Sequence, residues 1–297
     1  MNDLSPARSQ RMDNVQDPII SVIGQLIREN PGTISLGQGI AYFAPPSAAE
    51  QALQTFSAEP DVHQYTDAAG STDLLKLIEQ KLRSFNRIDC AAQNLRVVIT
   101  AGANMGFLNA LYAITDPDDE VILSVPYYFN HEMAIRMVSC IPVLAATDDQ
   151  FHLDLSALSS LITDRTRAIV TVSPNNPSGA VYSPEALAAV NQLCLDAGIY
   201  HISDEAYEYF VYRGTASSPA SGSSANTHTI SLYSLSKAYG FASWRIGYMV
   251  LPQQLYAAVL KAQDTNLICP PGISQYAATA ILRDAPDYWH GKVKTLA

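Results

Sequence analysis

The chain has 297 residues, of which 48% are hydrophobic and 15% are charged, so it is long enough to bury a large core. Its formal net charge of -10 argues against a nucleic-acid backbone or an anionic membrane surface as the main partner, because both would repel it at long range. The four cysteines show no CxxC or Cys/His ligand spacing, which argues against a disulfide framework and a metal site. We therefore expect a globular protein that binds a small molecule.

The N-terminal part of the sequence predicts a polar arm, a helix and a loop, in that order. Residues 1–17 are polar and contain no apolar core of signal-peptide length, and the apolar periodicity of residues 18–28 predicts a helix. The segment 35–46, SLGQGIAYFAPP, is rich in Gly and Pro and predicts a loop. No segment reaches the roughly 18 apolar residues that a membrane-spanning helix needs, so we expect a cytoplasmic protein without a membrane partner.

Helical and β-branched segments alternate after residue 46. Helices are predicted at 47–58, 71–86, 104–114 and 184–197. Strands are predicted at 97–100, 120–125, 141–145, 168–172, 198–203, 228–234 and 246–251. Because helical segments separate most of the strands, the pattern predicts an α/β fold with a mainly parallel central sheet flanked by helices. The polar, low-complexity segment 214–227 predicts a flexible surface loop.

Five short motifs follow one another along the chain, mostly where predicted strands end. They are GQG (37–39), TAGAN (100–104), NNPSG (175–179), SDEAY (203–207) and SLSKAYGFASWRIG (234–247). Their order and positions resemble the class I and II aminotransferases, which are pyridoxal-phosphate (PLP) enzymes of fold type I. The resemblance covers nearly the whole chain and implies PLP as the cofactor.

The resemblance also implies a domain layout. Residues 18–47 would form the N-terminal part of a small domain, and residues 48–285 would form the large PLP-binding domain. Residues 286–297 would begin the helix that connects to a C-terminal small domain that is missing, so we expect only a partial small domain. Members of this family carry the arginine that binds the substrate α-carboxylate in that later region, and nothing in residues 284–297 matches it.

The last motif resembles the family's cofactor lysine and its surroundings. Lys237 stands between small residues, and the resemblance implies that it forms the Schiff base with PLP and later moves the proton at the substrate Cα. Cationic charge and partial desolvation would lower its pKa for both tasks. Arg245 resembles the arginine that pairs with the cofactor phosphate, and Ser234 and Ser236 would donate hydroxyl hydrogen bonds to the same group.

Three other motifs resemble further parts of a PLP site. The backbone N–H groups of Ala103 and Asn104 would face the phosphate from a helix N-terminus. Asp204 would keep the pyridine nitrogen protonated, which makes the ring an electron sink. Tyr207 resembles the phenol that hydrogen-bonds the cofactor O3′, and Asn176 resembles the amide that contacts the same oxygen and the substrate.

The remaining site predictions concern stacking, the substrate and a second subunit. Tyr128 resembles the aromatic residue that stacks on the cofactor, and His131 resembles a histidine behind the pyridine-binding aspartate. Tyr65 resembles the tyrosine that reaches the phosphate of a neighbouring subunit, which implies a homodimer. The backbone N–H of Gly39 would meet the substrate α-carboxylate.

We expect reversible transfer of an α-amino group from an amino acid to a 2-oxo acid, within amino-acid metabolism and biosynthesis. A PLP-dependent lyase or synthase is an alternative, because fold and cofactor do not fix which substrate bond breaks. A truncated PLP-binding protein without turnover, or a fragment of a regulator, is another alternative. The substrate side chain stays open among aspartate, aromatic residues, methionine and glutamine.

Overall fold

A computed structural model describes residues 9–36, 39, 41–222 and 227–297. Seven strands of this part of the chain form one sheet in the order β1-β7-β6-β5-β4-β2-β3. They are β1 (Leu95–Thr100), β2 (Glu120–Ser124), β3 (Ile141–Ala145), β4 (Thr166–Val172), β5 (Tyr200–Asp204), β6 (Thr229–Ser234) and β7 (Gly247–Pro252). Strands β2 to β6 pair in parallel, and β7 lies antiparallel between β1 and β6. The predicted α/β fold with a mainly parallel sheet is confirmed.

Helices connect the strands and cover the sheet. They are α1 (Ile19–Glu29), α2 (Ser47–Phe56), α3 (Thr72–Lys81), α4 (Ala103–Ile114), α5 (Phe129–Met137), α6 (Leu155–Ser160), α7 (Pro184–Ala197), α8 (Tyr256–Leu267), α9 (Gly272–Asp284) and α10 (Tyr288–Leu296). Helix α7 shows how local sequence sets the bounds. The Ser183 hydroxyl accepts the N–H of Ala186, Pro184 starts the helix, and Gly198 ends it at φ 68°. Within the described residues, none of these helices combines the length and apolarity needed to cross a bilayer.

Neighbouring strand residues point to opposite faces of the sheet, and helices bury both faces. Val97 and Ile99 pack with the α3 residue Ile78 on one face. Val98 packs with the α4 residue Phe107 on the other face. The strand order and this alternation hold the strand ends, where the loops begin, in fixed positions.

One edge of the sheet gathers the loops that carry the sequence motifs. The antiparallel pairing places both Thr100 and Ser234 opposite Gly247, so the ends of β1 and β6 lie beside the start of β7. Asp204 at the end of β5 is opposite Val172 at the end of β4. Ligands bind at this carboxyl-terminal edge in open α/β sheets.

The predicted flexible surface loop at 214–227 is wrong for residues 218–220, which are buried. A short 3-10 helix (Pro219–Ser221) forms there, and the Ser218 hydroxyl donates to Glu205 Oε1 at 2.8 Å. The same hydroxyl lies 3.0 Å from the Tyr233 hydroxyl. These buried polar contacts anchor the segment, although its sequence is typical of a solvated loop. Residues 223–226 lie outside the described part of the chain.

Glu205 makes the stability of the protein depend on pH. Burial first, and then the nearby Glu208 carboxylate, raise the pKa of Glu205 from 4.5 to about 8. A raised carboxyl pKa gives stability that is full below pH 4.5 and is lost as the pH rises towards 8. In Glu205→Gln this loss is absent, so its free energy of unfolding relative to the unsubstituted chain should rise with pH, by at most about 1.4 kcal/mol per pH unit.

Urea unfolding at pH 5 and pH 8 measures this effect. Glu50→Gln, at an exposed residue, is the control. Its free energy of unfolding should differ from that of the unsubstituted chain by the same amount at both pH values. Parallel pH curves for Glu205→Gln and the unsubstituted chain would contradict the raised pKa.

Candidate active site

A cavity of about 540 Å³ opens at the carboxyl-terminal edge of the sheet. All but one of the predicted cofactor and substrate residues line it. They are Gly39, Ala103, Asn104, Tyr128, Asn176, Asp204, Tyr207, Ser234, Ser236, Lys237 and Arg245. The exception is Tyr65, which is 79% exposed and lines a separate surface cavity beside α2 and α9. Gly37 and Gln38 of the GQG motif lie outside the described residues.

Lys237 follows β6 and brings an amine into the cavity. Its Nζ donates to the Gly39 carbonyl oxygen at 2.9 Å and lies 5.6 Å from the centre of the Tyr207 ring. Burial first, and then the charge of Arg245, lower the pKa of Lys237. A lowered pKa increases the fraction of neutral amine, which is the form that attacks a carbonyl carbon.

A group of hydrogen-bond donors lies between the start of α4 and the loop before β7. The first N–H groups of an α-helix have no partner within it, and the first two residues of α4, Ala103 and Asn104, line this side of the cavity. Arg245 Nη1 donates to the Ser236 hydroxyl at 3.4 Å, and the Ser234 hydroxyl accepts the N–H of Ser236 at 3.1 Å. A guanidinium, two hydroxyls and a helix N-terminus form a donor set suited to a phosphate.

Gly102 allows this donor set to form. Its φ of 82° is strained for L side chains, and a Cβ at this position would meet the Arg245 guanidinium, 3.1 Å from Cζ and closer to Nη2. We therefore expect Gly102→Ala to displace the guanidinium and to raise the Kd for PLP about tenfold. Fluorescence titration with PLP measures this constant. Gly291→Ala is the matched control, because a Cβ at Gly291 meets nothing within 4 Å, and equal Kd values for the two variants would refute the assignment.

Asp204 ends β5 and carries a buried carboxylate into the cavity wall. Its Oδ2 lies 3.0 Å from His131 Nε2, without the alignment of a hydrogen bond. Its Oδ1 accepts the N–H of Ala206 at 3.0 Å, and the His131 ring stacks on Phe107 at 4.1 Å. The structure thus brings together the aspartate and the histidine that the sequence placed behind it.

Tyr207 and Asn176 approach each other from two different loops. Asn176 Nδ2 donates to the Tyr207 hydroxyl at 3.4 Å. Burial first, and then Tyr128 and Asp204, raise the pKa of Tyr207 to about 12. Tyr207 is therefore a neutral phenol at physiological pH and keeps a proton to donate.

The cavity also contains residues that sequence reasoning missed. They are Ile20, Phe129, Asn130, Val172, Ala206 and Ala242. Asn130 orients the Tyr128 ring, because its Nδ2 donates to the Tyr128 hydroxyl at 2.7 Å. No local pattern around Asn130 or Ile20 distinguishes them from ordinary loop and helix residues.

These groups fit PLP. The donor set matches the phosphate, the Asp204 carboxylate matches a protonated ring nitrogen, and the Lys237 amine matches the aldehyde. The cavity volume falls within the range of small-molecule sites, about 300–1,000 Å³. In the described part of the chain, no cluster of three His, Cys, Asp or Glu residues is arranged to hold a metal ion.

Sequence comparison identifies similar proteins. The family model for aminotransferase class I and II matches residues 31–296. The aromatic aminotransferase ISS1 of Arabidopsis thaliana is 31% identical over 296 residues, which span 97% of this chain and 73% of that protein. A probable aspartate/prephenate aminotransferase of Aquifex aeolicus is 34% identical over 256 residues, which span 84% of this chain and 64% of that protein.

Solved structures show the same similarity in three dimensions. The aspartate aminotransferase of Thermus thermophilus with maleate aligns with a TM-score of 0.89 at 28% identity, over 98% of this chain and 76% of that one. The aspartate aminotransferase of Rhizobium meliloti aligns with a TM-score of 0.90 at 28% identity, over 98% of this chain and 74% of that one.

Proposed function

Because this chain belongs to the class I and II aminotransferases, we propose that it moves an α-amino group from an amino acid to a 2-oxo acid with PLP bound at Lys237. The observation that carries the proposal is the meeting of three groups in one cavity. They are the Lys237 amine, the Asp204 carboxylate and the donor set around Arg245. Few reactions other than those of PLP need all three at once.

PLP, when bound, supplies an electron-withdrawing ring that stabilises the negative charge left on the substrate Cα when its proton is removed. Lys237 supplies the amine that holds the cofactor covalently and, once released, the base that takes the Cα proton and returns it. The lowered pKa of Lys237 suits both tasks, because a protonated ammonium group neither attacks a carbonyl nor accepts a proton.

The other cavity residues would hold and orient the cofactor. Asp204, which lies 3.0 Å from His131, places a carboxyl group where it would hold the proton on the ring nitrogen. Tyr207 and Asn176 donate to the phenolic oxygen of the cofactor, and Tyr128 packs on its face. Ala103, Asn104, Ser234, Ser236 and Arg245 bind the phosphate.

The proposal also covers the residues that contact the substrate, the domain layout, the assembly of the chain and its location in the cell. Gly39 and Asn176 contact the substrate, residues 18–47 form the N-terminal part of a small domain, and residues 48–285 form the PLP-binding domain. The exposure of Tyr65 supports a homodimer in which this tyrosine reaches the phosphate site of the other subunit. We place the protein in the cytoplasm. Both named relatives are aminotransferases, which favours amino-group transfer over the lyase or synthase alternative.

An absorption spectrum of the purified chain with PLP tests the proposed function. A panel of single amino acids is added first, and a 2-oxo acid is added afterwards. We expect at least one amino acid to deplete the band of the lysine-bound cofactor and a 2-oxo acid to restore it. Release of an elimination product such as ammonia, without restoration by a 2-oxo acid, would support the lyase alternative, and no response to any amino acid would contradict turnover.

A further inference from the structure

The turn that follows β5 presents its side chains to two different sides. Asp204 and Tyr207 line the cavity that contains Lys237, whereas Glu205 and Glu208 point away from it into a second, buried region. The spacing of three residues within each pair is the spacing that puts side chains on one side of a helical turn. Whatever holds the two glutamates therefore also sets the position of the two cavity residues.

A lysine whose side chain is only 14% exposed holds Glu208. Lys81 Nζ at the end of α3 lies 2.5 Å from Oε1 and 2.6 Å from Oε2 of Glu208. Asn86 completes the group, because its Oδ1 accepts from Lys81 at 2.7 Å and its Nδ2 donates to Glu208 Oε2 at 2.8 Å. We call Lys81, Asn86 and Glu208 the buried triad.

Aromatic rings surround the ammonium of the triad and connect it to the sheet. Lys81 Nζ lies 4.8 Å from the ring centre of Tyr233 and 5.8 Å from that of Tyr248. Tyr233 immediately precedes Ser234 on β6, and Tyr248 follows the first residue of β7. The ammonium therefore packs against the same strands that lead into the phosphate donor set.

Stability alone is a weak explanation for this arrangement. Burial lowers the pKa of Lys81, and Glu208 acts against that effect. A buried ion pair of this kind contributes little net stability compared with apolar residues of similar volume, because both charges lose their hydration. The pair does fix one geometry, because each charge needs the other in place.

We infer that the Lys81–Glu208 pair is a positioning device that holds Asp204 and Tyr207 in register with the cofactor site. The inference rests on the proposed function. Glu208 and Tyr207 are adjacent in sequence, so a backbone shift at Glu208 also moves the Tyr207 phenol, which accepts from Asn176 at 3.4 Å. Displacement of a catalytic group by about 1 Å can lower a rate about 100-fold, so a rigid anchor behind the turn has a large effect.

The test compares Glu208→Gln, which keeps the shape of the side chain and removes its charge, with Lys81→Met and the conservative Lys81→Arg. The matched control is Glu120→Gln, which removes the charge of another buried glutamate, paired with Arg165 at the other end of the sheet. Three quantities are measured: hydrogen exchange of peptide 204–210 without PLP, the Kd for PLP, and the pH midpoint of the lysine-dependent absorption band.

We expect Glu208→Gln and Lys81→Met to speed exchange in peptide 204–210 and to raise the Kd for PLP about tenfold. We also expect them to shift the pH midpoint of the band by about half a unit or more. Glu120→Gln should change none of these three quantities. Lys81→Arg keeps the positive charge and should give values close to those of the unsubstituted chain. If Lys81→Met does not fold, Glu208→Gln and Lys81→Arg still decide the question.

Two results would overturn the inference, and they differ in what else they affect. A normal band in the unsubstituted chain, together with values for Glu208→Gln equal to those of Glu120→Gln, would overturn the positioning role alone. Absence of any lysine-dependent band in the unsubstituted chain would overturn the proposed function and the inference with it.

Discussion

Replacement of Lys237 by alanine is expected to lower kcat for amino-group transfer at least about 1,000-fold. The substitution removes both the amine that holds the cofactor and the base that moves the Cα proton. Lys237 Nζ points into the cavity and donates only to the Gly39 carbonyl among the described contacts, so little of the fold depends on it. Initial rates with an amino acid and a 2-oxo acid measure the effect.

Lys76 provides the control, since its side chain is 67% exposed and pairs with Asp73 in the same helix. Lys76→Ala should retain the rate of the unsubstituted chain. If folded Lys237→Ala retains more than about a tenth of the transfer rate of the unsubstituted chain, Lys237 does not take part in the reaction.

Asp204→Asn is expected to lower kcat about 100-fold or more while the variant still binds PLP. Asparagine keeps the size of the side chain but lacks the negative charge that holds a proton on the ring nitrogen. It also leaves His131 Nε2, now 3.0 Å from a carboxylate oxygen, beside a neutral amide. The Asp204 side chain is only 5% exposed, so solvent screens its charge weakly and the loss of that charge has a large effect.

Parallel measurement of kcat and of the PLP absorption band distinguishes loss of catalysis from loss of cofactor. Asp73→Asn, at a residue whose side chain is 82% exposed, is the control. An Asp204→Asn variant with a normal kcat would show that the carboxylate does not act on the cofactor ring.

Much of the fold and of the cavity could be predicted because the relevant signals are local. Strand β3 and helix α7 have the predicted bounds, 141–145 and 184–197, since a short apolar run marks the strand and a Ser-Pro start and a terminal Gly mark the helix. The end of β5 at Asp204 was within one residue of the prediction. Parallel strands place such ends at one edge, which is why motifs far apart in sequence line one cavity.

The contacts that could not be predicted join residues that are distant in sequence and carry no local pattern. Lys81 and Glu208 are 127 residues apart, and each alone resembles an ordinary charged residue of a helix or loop. The predicted helix at 71–86 passes into a π-helical turn (Leu82–Asn86), which lets Asn86 reach the triad. Ser218 is likewise held by contacts with Glu205 and Tyr233. Both residues lie outside the segment 214–227, so the composition of that segment gives no sign of its burial.

Reduction of the PLP-treated chain with borohydride, followed by peptide mass mapping, tests the central claim most directly. The reduction fixes the cofactor to the lysine that holds it, and the chain offers other lysines for comparison, including the partly buried Lys81. The proposed site predicts a pyridoxyl group on the peptide that contains Lys237, at one group per chain. A group spread over surface lysines, or located on a lysine outside the cavity, would contradict the assignment of the active site.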